Sequence, residues 1–426
     1  MNEPRSRLNA PPREHFARCL RNSPALLVCI LLGASAGPLS AQDTAPSDPS
    51  QSETPHVAQN DAFPPPDSAR YLAGELVHID HVNRVGILRS DRLDSYAKHQ
   101  WDLPHHFTML PYGSIYYHGA PAELRDIPIG THLHGYFYVG PEGPDPVALP
   151  DSSLGANLRT NHQQRSPEAK FSRVLRLEDD FSFYQRRGSA WKILSINRET
   201  GKLTAERVML GEQNPSATQE GLTGQQSFFF YSATRVWKGR QIASLAELTA
   251  DQVVQLNLTW ATLYGPGRCT DVWIDEESRR VAAEQQRQTH IQHQRHRGLA
   301  ARVDHVEFGE AGAGIVTTTL YAGMDPELYD AFKFGEGVAV VVVEASLRSH
   351  DQTNDGAWGH VHEINKIENP PPGSSGFQVK IALRELLEGI RPGRTVRLFA
   401  HGFTRDILPL EERLWPKDVR FLHAGP

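Results

Sequence analysis

The sequence predicts a mainly β protein, built from tandem small β-barrel or sandwich modules with one long polar linking helix. Three observations carry that prediction. Residues 115–138 read IYYHGAPAELRDIPIGTHLHGYFY: a short strand, a turn at Gly119, a few residues centred on Leu124, a turn at Gly130 and an alternating strand. The same order returns at 235–260 and 383–403, as internal repeats of small β units do. Four stretches, 74–79, 191–196, 301–306 and 359–364, each open a hairpin with apolar residues three apart, and Gly-, Asn- or Pro-containing turns follow them. Residues 276–297 alone carry strong helix signals, with acids at the start, bases at the end and Gly298 just beyond.

Taken in order, the chain of 426 residues begins with five arginines and two glutamates ahead of an apolar run at 25–32, ALLVCILL. Gly33, Gly37 and Pro38 break the run, and Ala41 supplies a small residue for cleavage. This is the order of a secretory signal, and the run is too short to span a bilayer; an uncleaved anchor is the rival reading. Residues 1–41 are therefore expected to be a signal peptide, and the protein to be exported to the periplasm or the cell surface. Cleavage would remove five of the 44 basic residues and two of the 50 acidic ones, leaving 39 against 48 and a formal charge of −9. That balance gives no long-range attraction to phosphate backbones, so nucleic acid is not an expected partner. Two of the three cysteines leave with the signal, and Cys269 then has no partner for an intrachain disulfide. Residues 42–70, rich in Ser, Pro, Asp, Gln and Ala, are expected to be a disordered linker. No later apolar run is long enough to cross a membrane as a helix, so no transmembrane segment is expected after the signal.

Module 1 is expected over 71–188, module 2 over 189–274, the linking helix over 275–298, module 3 over 299–350 and module 4 over 351–426. Return strands follow the four openings at 84–88, 202–204, 315–320 and 377–383, and the β-branched run GVAVVVV at 337–343 suits a strand buried on both faces. Aligned on Leu124, Leu245 and Leu387, the closing strands share one register. Leu133, Gly135 and Phe137 fall opposite Val254, Leu256 and Leu258, and opposite Val396 and Leu398, as core positions. The other face carries His132, His134 and Tyr136 in module 1, Val253, Gln255 and Asn257 in module 2, and Thr395 and Arg397 in module 4. It is expected to be the polar, outward face. The helix has few apolar residues (Val281, Ala282, Ala283, Ile291) and reads as a strut between modules 2 and 3.

This layout resembles a widespread small β-barrel domain, of OB or SH3-like type, found in exported bacterial proteins. Its signature is a Gly turn, a Leu-x-x-Leu-like segment, Gly and an alternating strand. THLHG (131–135), LEDDFSFYQRRG (177–188), TRVWKGRQ (234–241), GPGRCTD (265–271) and NPPPGSSG (369–376) are likewise similar to a group of uncharacterised exported bacterial proteins. The resemblance implies a fold and no activity.

Two His-x-His pairs lie on expected strands, His132/His134 and His360/His362. Residues two apart on a strand point the same way, so two imidazoles reach one ion, and zinc or copper favours such nitrogen donors. A third ligand must come from elsewhere, with His105, His106, His118, Asp355 and Glu363 as candidates; the competing reading is solvent-facing strand histidines. His290, His293 and His296 stand at three-residue steps near the helix C-terminus, where bases complement the dipole. Glu178-Asp179-Asp180 reads as a charged loop edge, since consecutive carboxylates do not by themselves face one cleft. Cys269 reads as a structural thiol. Residues 351–356 read as an Asn-Asp-Gly turn, because His362 stands where a calcium loop needs Glu. Tyr116, Tyr117, Tyr136, Tyr138 and Trp101 read as exposed rings suited to stacking on sugars, with Tyr116, Tyr136 and Tyr138 the ligand-binding candidates. No serine nucleophile elbow, phosphate-binding glycine loop, zincin helix or dinucleotide fingerprint occurs. The expectation is an exported, non-catalytic binding or scaffold protein of the cell envelope that takes a divalent metal, an envelope glycan or an envelope protein. Its alternative is a metal-dependent hydrolase with a site assembled from the His-x-His strands between modules, with Glu363 or Glu178-Asp179-Asp180 as base.

Overall fold

Three closed β-barrels follow one another along the chain in the computed structural model, which describes residues 55–59, 62–65, 68–81, 84–91, 104–141, 168–210, 221–259, 267–342, 356–387 and 389–403. The expected signal peptide, Trp101 and Asp355 lie outside the described residues. Barrel 1 comprises β1 (Arg70–Asp80), β2 (Val85–Ser90), β3 (Pro104–Tyr117), β4 (Ala120–Ala122), β5 (His132–Tyr138) and β6 (Arg173–Asp179). Strands β1, β2 and β3 form a meander, and β5 returns beside β1 as in a Greek key. Strand β6 completes the ring, antiparallel to β5 and parallel to β3. A turn through His118 and Gly119, both at positive φ, lets β4 fold back on the end of β3.

Barrel 2 repeats this wiring with β7 (Ser189–Asn197), β8 (Lys202–Met209), β9 (Gln225–Phe229), β10 (Arg235–Lys238), β11 (Gln241–Ala243), β12 (Val253–Thr259) and β13 (Gly267–Trp273). Strand β12 returns beside β7, and β13 closes in parallel on β9. In both barrels a single 3-10 turn, Leu124–Asp126 or Leu245–Glu247, precedes the returning strand. Barrel 3 is a six-stranded, wholly antiparallel ring of β14 (Leu299–Phe308), β15 (Gly314–Tyr321), β16 (Gly337–Val342), β17 (Gly356–Lys366), β18 (Ser374–Leu383) and β19 (Thr395–Ala400).

The register expected from the repeat appears as strand pairing. Gly74 pairs with Leu133, Trp191 with Val254 and Ala301 with Val396. Each opening strand also bulges two residues later, after Leu76, Ile193 and Val303, which strengthens the twist that ring closure needs. Leu133, Phe137, Val254, Leu256, Leu258, Val396 and Leu398 are all buried inside their barrels. The expected four modules are corrected to three barrels. The fourth opening, 359–364, is part of β17, which pairs with β16 and β18 inside barrel 3. The boundary at 350 therefore falls within one ring: β16, apolar on both faces, needs β17 on one side and β19 on the other.

Two helices join the barrels. Helix α1 (Asp180–Arg186) follows β6 without a gap, and α2 (Glu276–Arg297) ends at Gly298, where φ is 73°. Asp275 caps α2 by accepting from the Ser278 N–H at 2.6 Å. The bounds of α2 are those the sequence predicts, yet it is more than a strut. Ser278, Ala282, Gln286, His290 and Gln294, four residues apart, are all buried. Gln286 donates to the Pro121 carbonyl and Gln294 to Glu123 Oε1, so this polar stripe lies on barrel 1. Among the described residues no helix is long and apolar enough to cross a membrane.

Candidate metal centre between barrels 1 and 2

Alternation along β5 turns Leu133 and Phe137 into barrel 1 and puts His132, His134 and Tyr136 on its outer face. That face is not left to solvent. The chain leaves β6 at Asp179, beside Leu133, and folds at once into α1 across the outside of β5. Asp179 is the N-cap, accepting from the Ser182 N–H at 2.9 Å. Strand β12 of barrel 2 closes over the other side. Asn257 accepts from the Phe181 N–H at 2.9 Å and donates to Asp179 Oδ2 at 2.8 Å, while Asp180 Oδ2 accepts from the Leu258 N–H at 3.0 Å.

Asp180 thus stands over both histidines. Its Oδ1 lies 2.9 Å from His132 Nδ1 and 3.0 Å from His134 Nε2, and the donor atoms of the three residues all lie within 4.8 Å of one another. Each histidine is 1 % exposed and Asp180 is 0 % exposed. The far nitrogens are held as well: His132 Nε2 meets Asp91 Oδ2 at 2.9 Å, and His134 Nδ1 meets the Tyr71 hydroxyl at 2.7 Å. Phe183 stacks on the His134 ring at 3.7 Å, with the Arg187 guanidinium 3.5 Å over its ring.

Electrostatics separate the two imidazoles. Burial alone would lower the His132 pKa, but the charges of Asp180 and Asp91 outweigh it and hold that pKa well above the ordinary value. His134, buried and beside the charged His132, is pushed down. Burial works against the Asp180 carboxylate, yet His132 and His134 keep it ionised and its pKa low. With an imidazolium at His132 the cluster still holds two carboxylates, Asp91 and Asp180, against one positive charge. A divalent cation with two neutral imidazoles would balance them. The donor set, two nitrogens and one oxygen, is one that zinc and copper take. Anchoring both far nitrogens is what a ligating histidine requires of its surroundings.

Comparison with protein-family models, with characterised proteins and with solved structures finds no match. What the site does must be read from its own atoms.

The other sequence candidates are not gathered here. His360 and His362 stand exposed on β17 of barrel 3, and Glu363 is paired with Lys380 Nζ at 2.6 Å. His105 is buried inside barrel 1 against the Phe171 carbonyl, and His118 packs on Tyr117 and Trp273. The expected outward tyrosine ladder is corrected too. Tyr138 and Tyr117 are buried. Tyr116 is half-buried under Arg176, and Tyr136 is half-buried with its hydroxyl accepting from Arg187. Glu178-Asp179-Asp180 is no loop edge: all three are buried, and Glu178 is held by Arg186 at 2.5 and 2.6 Å. Cys269 is buried, and burial pushes its thiol pKa up, as suits a structural cysteine. Sequence reasoning missed Asp91 and Tyr71 as partners of the histidines, and set Asp180 beside them only as part of a carboxylate run that could serve a hydrolase as base. The signal available was an acid at the start of DFSFYQR, whose aromatic residues mark a helix that must be covered.

Proposed function

We propose that this chain is a non-catalytic binding or scaffold protein of the cell envelope, exported by its N-terminal signal, in which a divalent metal ties barrel 1 to barrel 2. His132, His134 and Asp180 would hold the ion, with Asp91 and Tyr71 orienting the two imidazoles. The observation that carries this reading is the convergence of three buried donors from β5 and α1 on one point, each histidine braced from behind. A hydrolase would need substrate at the ion, and burial of the three donors to 1 % or less favours a structural ion instead. The buried and half-buried tyrosines offer no exposed stacking ladder, so the metal supports the proposal more than a glycan does. As zinc or copper the ion would act structurally, adding its binding free energy to that of folding.

The test is the metal content of protein purified without chelator or affinity tag. Near-stoichiometric zinc or copper is expected, lost in His132→Ala/His134→Ala and kept in His360→Ala/His362→Ala. Metal-free protein whose thermal midpoint ignores added zinc and copper would retire the proposal.

A further inference from the structure

A second polar cluster lies where barrels 1 and 3 meet α2. A cavity of about 20 Å³ is lined there by Arg84, Glu123, His290, Gln294 and Arg397, among others. One water needs roughly 10–15 Å³ on this measure, so the space suits a single small species and excludes phosphate or any organic ligand. Its walls are fixed. Arg84 spends its Nη atoms on the Leu110, Pro111 and Gly113 carbonyls at 2.8 to 3.1 Å. Arg397 Nη1 donates to the Gly298 carbonyl at 2.9 Å. Gln294 donates to Glu123 Oε1 at 2.8 Å.

What remains is unpartnered. Arg84 Nε, Arg397 Nε, both ring nitrogens of His290, and Gln294 Oε1 are buried without a hydrogen bond. His290 and Gln294 are each 1 % exposed. Among the lining groups donors therefore outnumber acceptors, and two guanidinium charges face one lining carboxylate, Glu123, with Asp126 and Asp325 acting on His290 from outside the lining. Burial pushes Arg397 down to about 10, with Glu123 opposing and Arg84 and Arg297 adding repulsion. Water filling the cavity would satisfy donors and leave the surplus positive charge uncompensated, which is costly away from solvent.

We infer that this cavity binds one monovalent anion of halide size, held by Arg84 Nε, Arg397 Nε and a His290 N–H, and that the anion pins barrel 3 and α2 to barrel 1. Chloride is the abundant ion of that class. The site is independent of the metal between barrels 1 and 2.

Crystals of the full mature chain grown in sodium bromide test this directly. An anomalous bromide peak within hydrogen-bonding reach of Arg84, Arg397 and His290 is expected. Replacing sodium gluconate by sodium chloride at constant ionic strength should raise the thermal midpoint saturably, by about 3 to 6 °C, and Arg397→Gln should abolish that response. A cavity with no anomalous signal in bromide overturns the inference and leaves water as the occupant. The diffraction result stands on the unmodified protein, so it decides even where Arg397→Gln does not fold.

Discussion

Two strands of this molecule carry the same His-x-His pattern and end in opposite chemistry. On β5 the pair is buried beneath α1, with a carboxylate shared between the rings and a brace behind each. On β17 the pair is exposed, and His360 has only Gly337 and Ala382 across the neighbouring strands. Spacing brings two imidazoles to one side of a sheet. What gathers them with a carboxylate is the element laid over that side, here a helix that follows β6 without a linker and starts with Asp180.

Removing that carboxylate should break the contrast most. Asp180→Asn keeps the shape but leaves His132 and His134 without their shared anion in a dry interface. Losing one member of a buried charged set costs about 3–5 kcal/mol, so the denaturant midpoint should fall sharply and bound metal should vanish. His360→Ala/His362→Ala, made on an exposed face, should stay within about 0.5 kcal/mol of the parent. Equal effects of the two changes would mean that burial of the β5 pair has no energetic meaning. A smaller step tests the packing around the ligands. Phe183→Leu removes the ring sandwiched between His134 and Arg187 and should cost about 1–3 kcal/mol, with metal content unchanged. Loss of metal in that variant would instead show that the stack orients His134 for binding.

The same contrast shows what the sequence could and could not reveal. Strand register was legible because alternation is local: Leu133, Val254 and Val396, aligned with one another by the repeat, each pair with the opening strand of their own barrel. The limits of α2 were legible for the same reason, since caps lie within a few residues of the helix they end. The number of barrels was not, because β16 and β17 join one ring through pairings with β19 and β18 that no short window records. Nor was the covering of β5. A polar strand face reads as solvated until something polar is laid on it, and Asp180 and Asn257 do that from 46 and 123 positions away from His134. Helix α2 misled likewise: its buried stripe of Ser278, Gln286, His290 and Gln294 is polar, so its packed face looks like its wet one.

That stripe supplies a third kind of histidine, His290, buried with neither metal nor carboxylate partner, and the half-buried His293 beside it gives the smallest effect to measure. Burial pushes His290 down and His293 down to about 3, Glu123 opposing in both cases while Arg397, Arg125 and Arg297 add to the fall at His293. Folded protein therefore keeps His293 neutral where the unfolded chain, with an ordinary value near 6.5, takes up a proton. Below that pH the unfolded state binds more protons at this residue, so the His293 contribution to stability declines as pH falls from about 6.5 toward 3 and is flat above. Glu123, held at about 2 chiefly against burial by Arg84, adds a decline only below its ordinary carboxylate range. In the window from pH 6.5 to 4.5 the lowered histidines act, with Asp179, pushed up by burial, opposing them. In gluconate buffer, His293→Gln should reduce the slope of unfolding free energy there by up to about 1.4 kcal/mol per pH unit, leaving the behaviour at pH 7 to 8, where the raised His132 acts, the same as in the parent. An unchanged slope would mean that His293 is already charged in the folded protein, with Glu123 as its counter-ion, and that α2 does carry cationic histidines near its C-terminus as its sequence suggests.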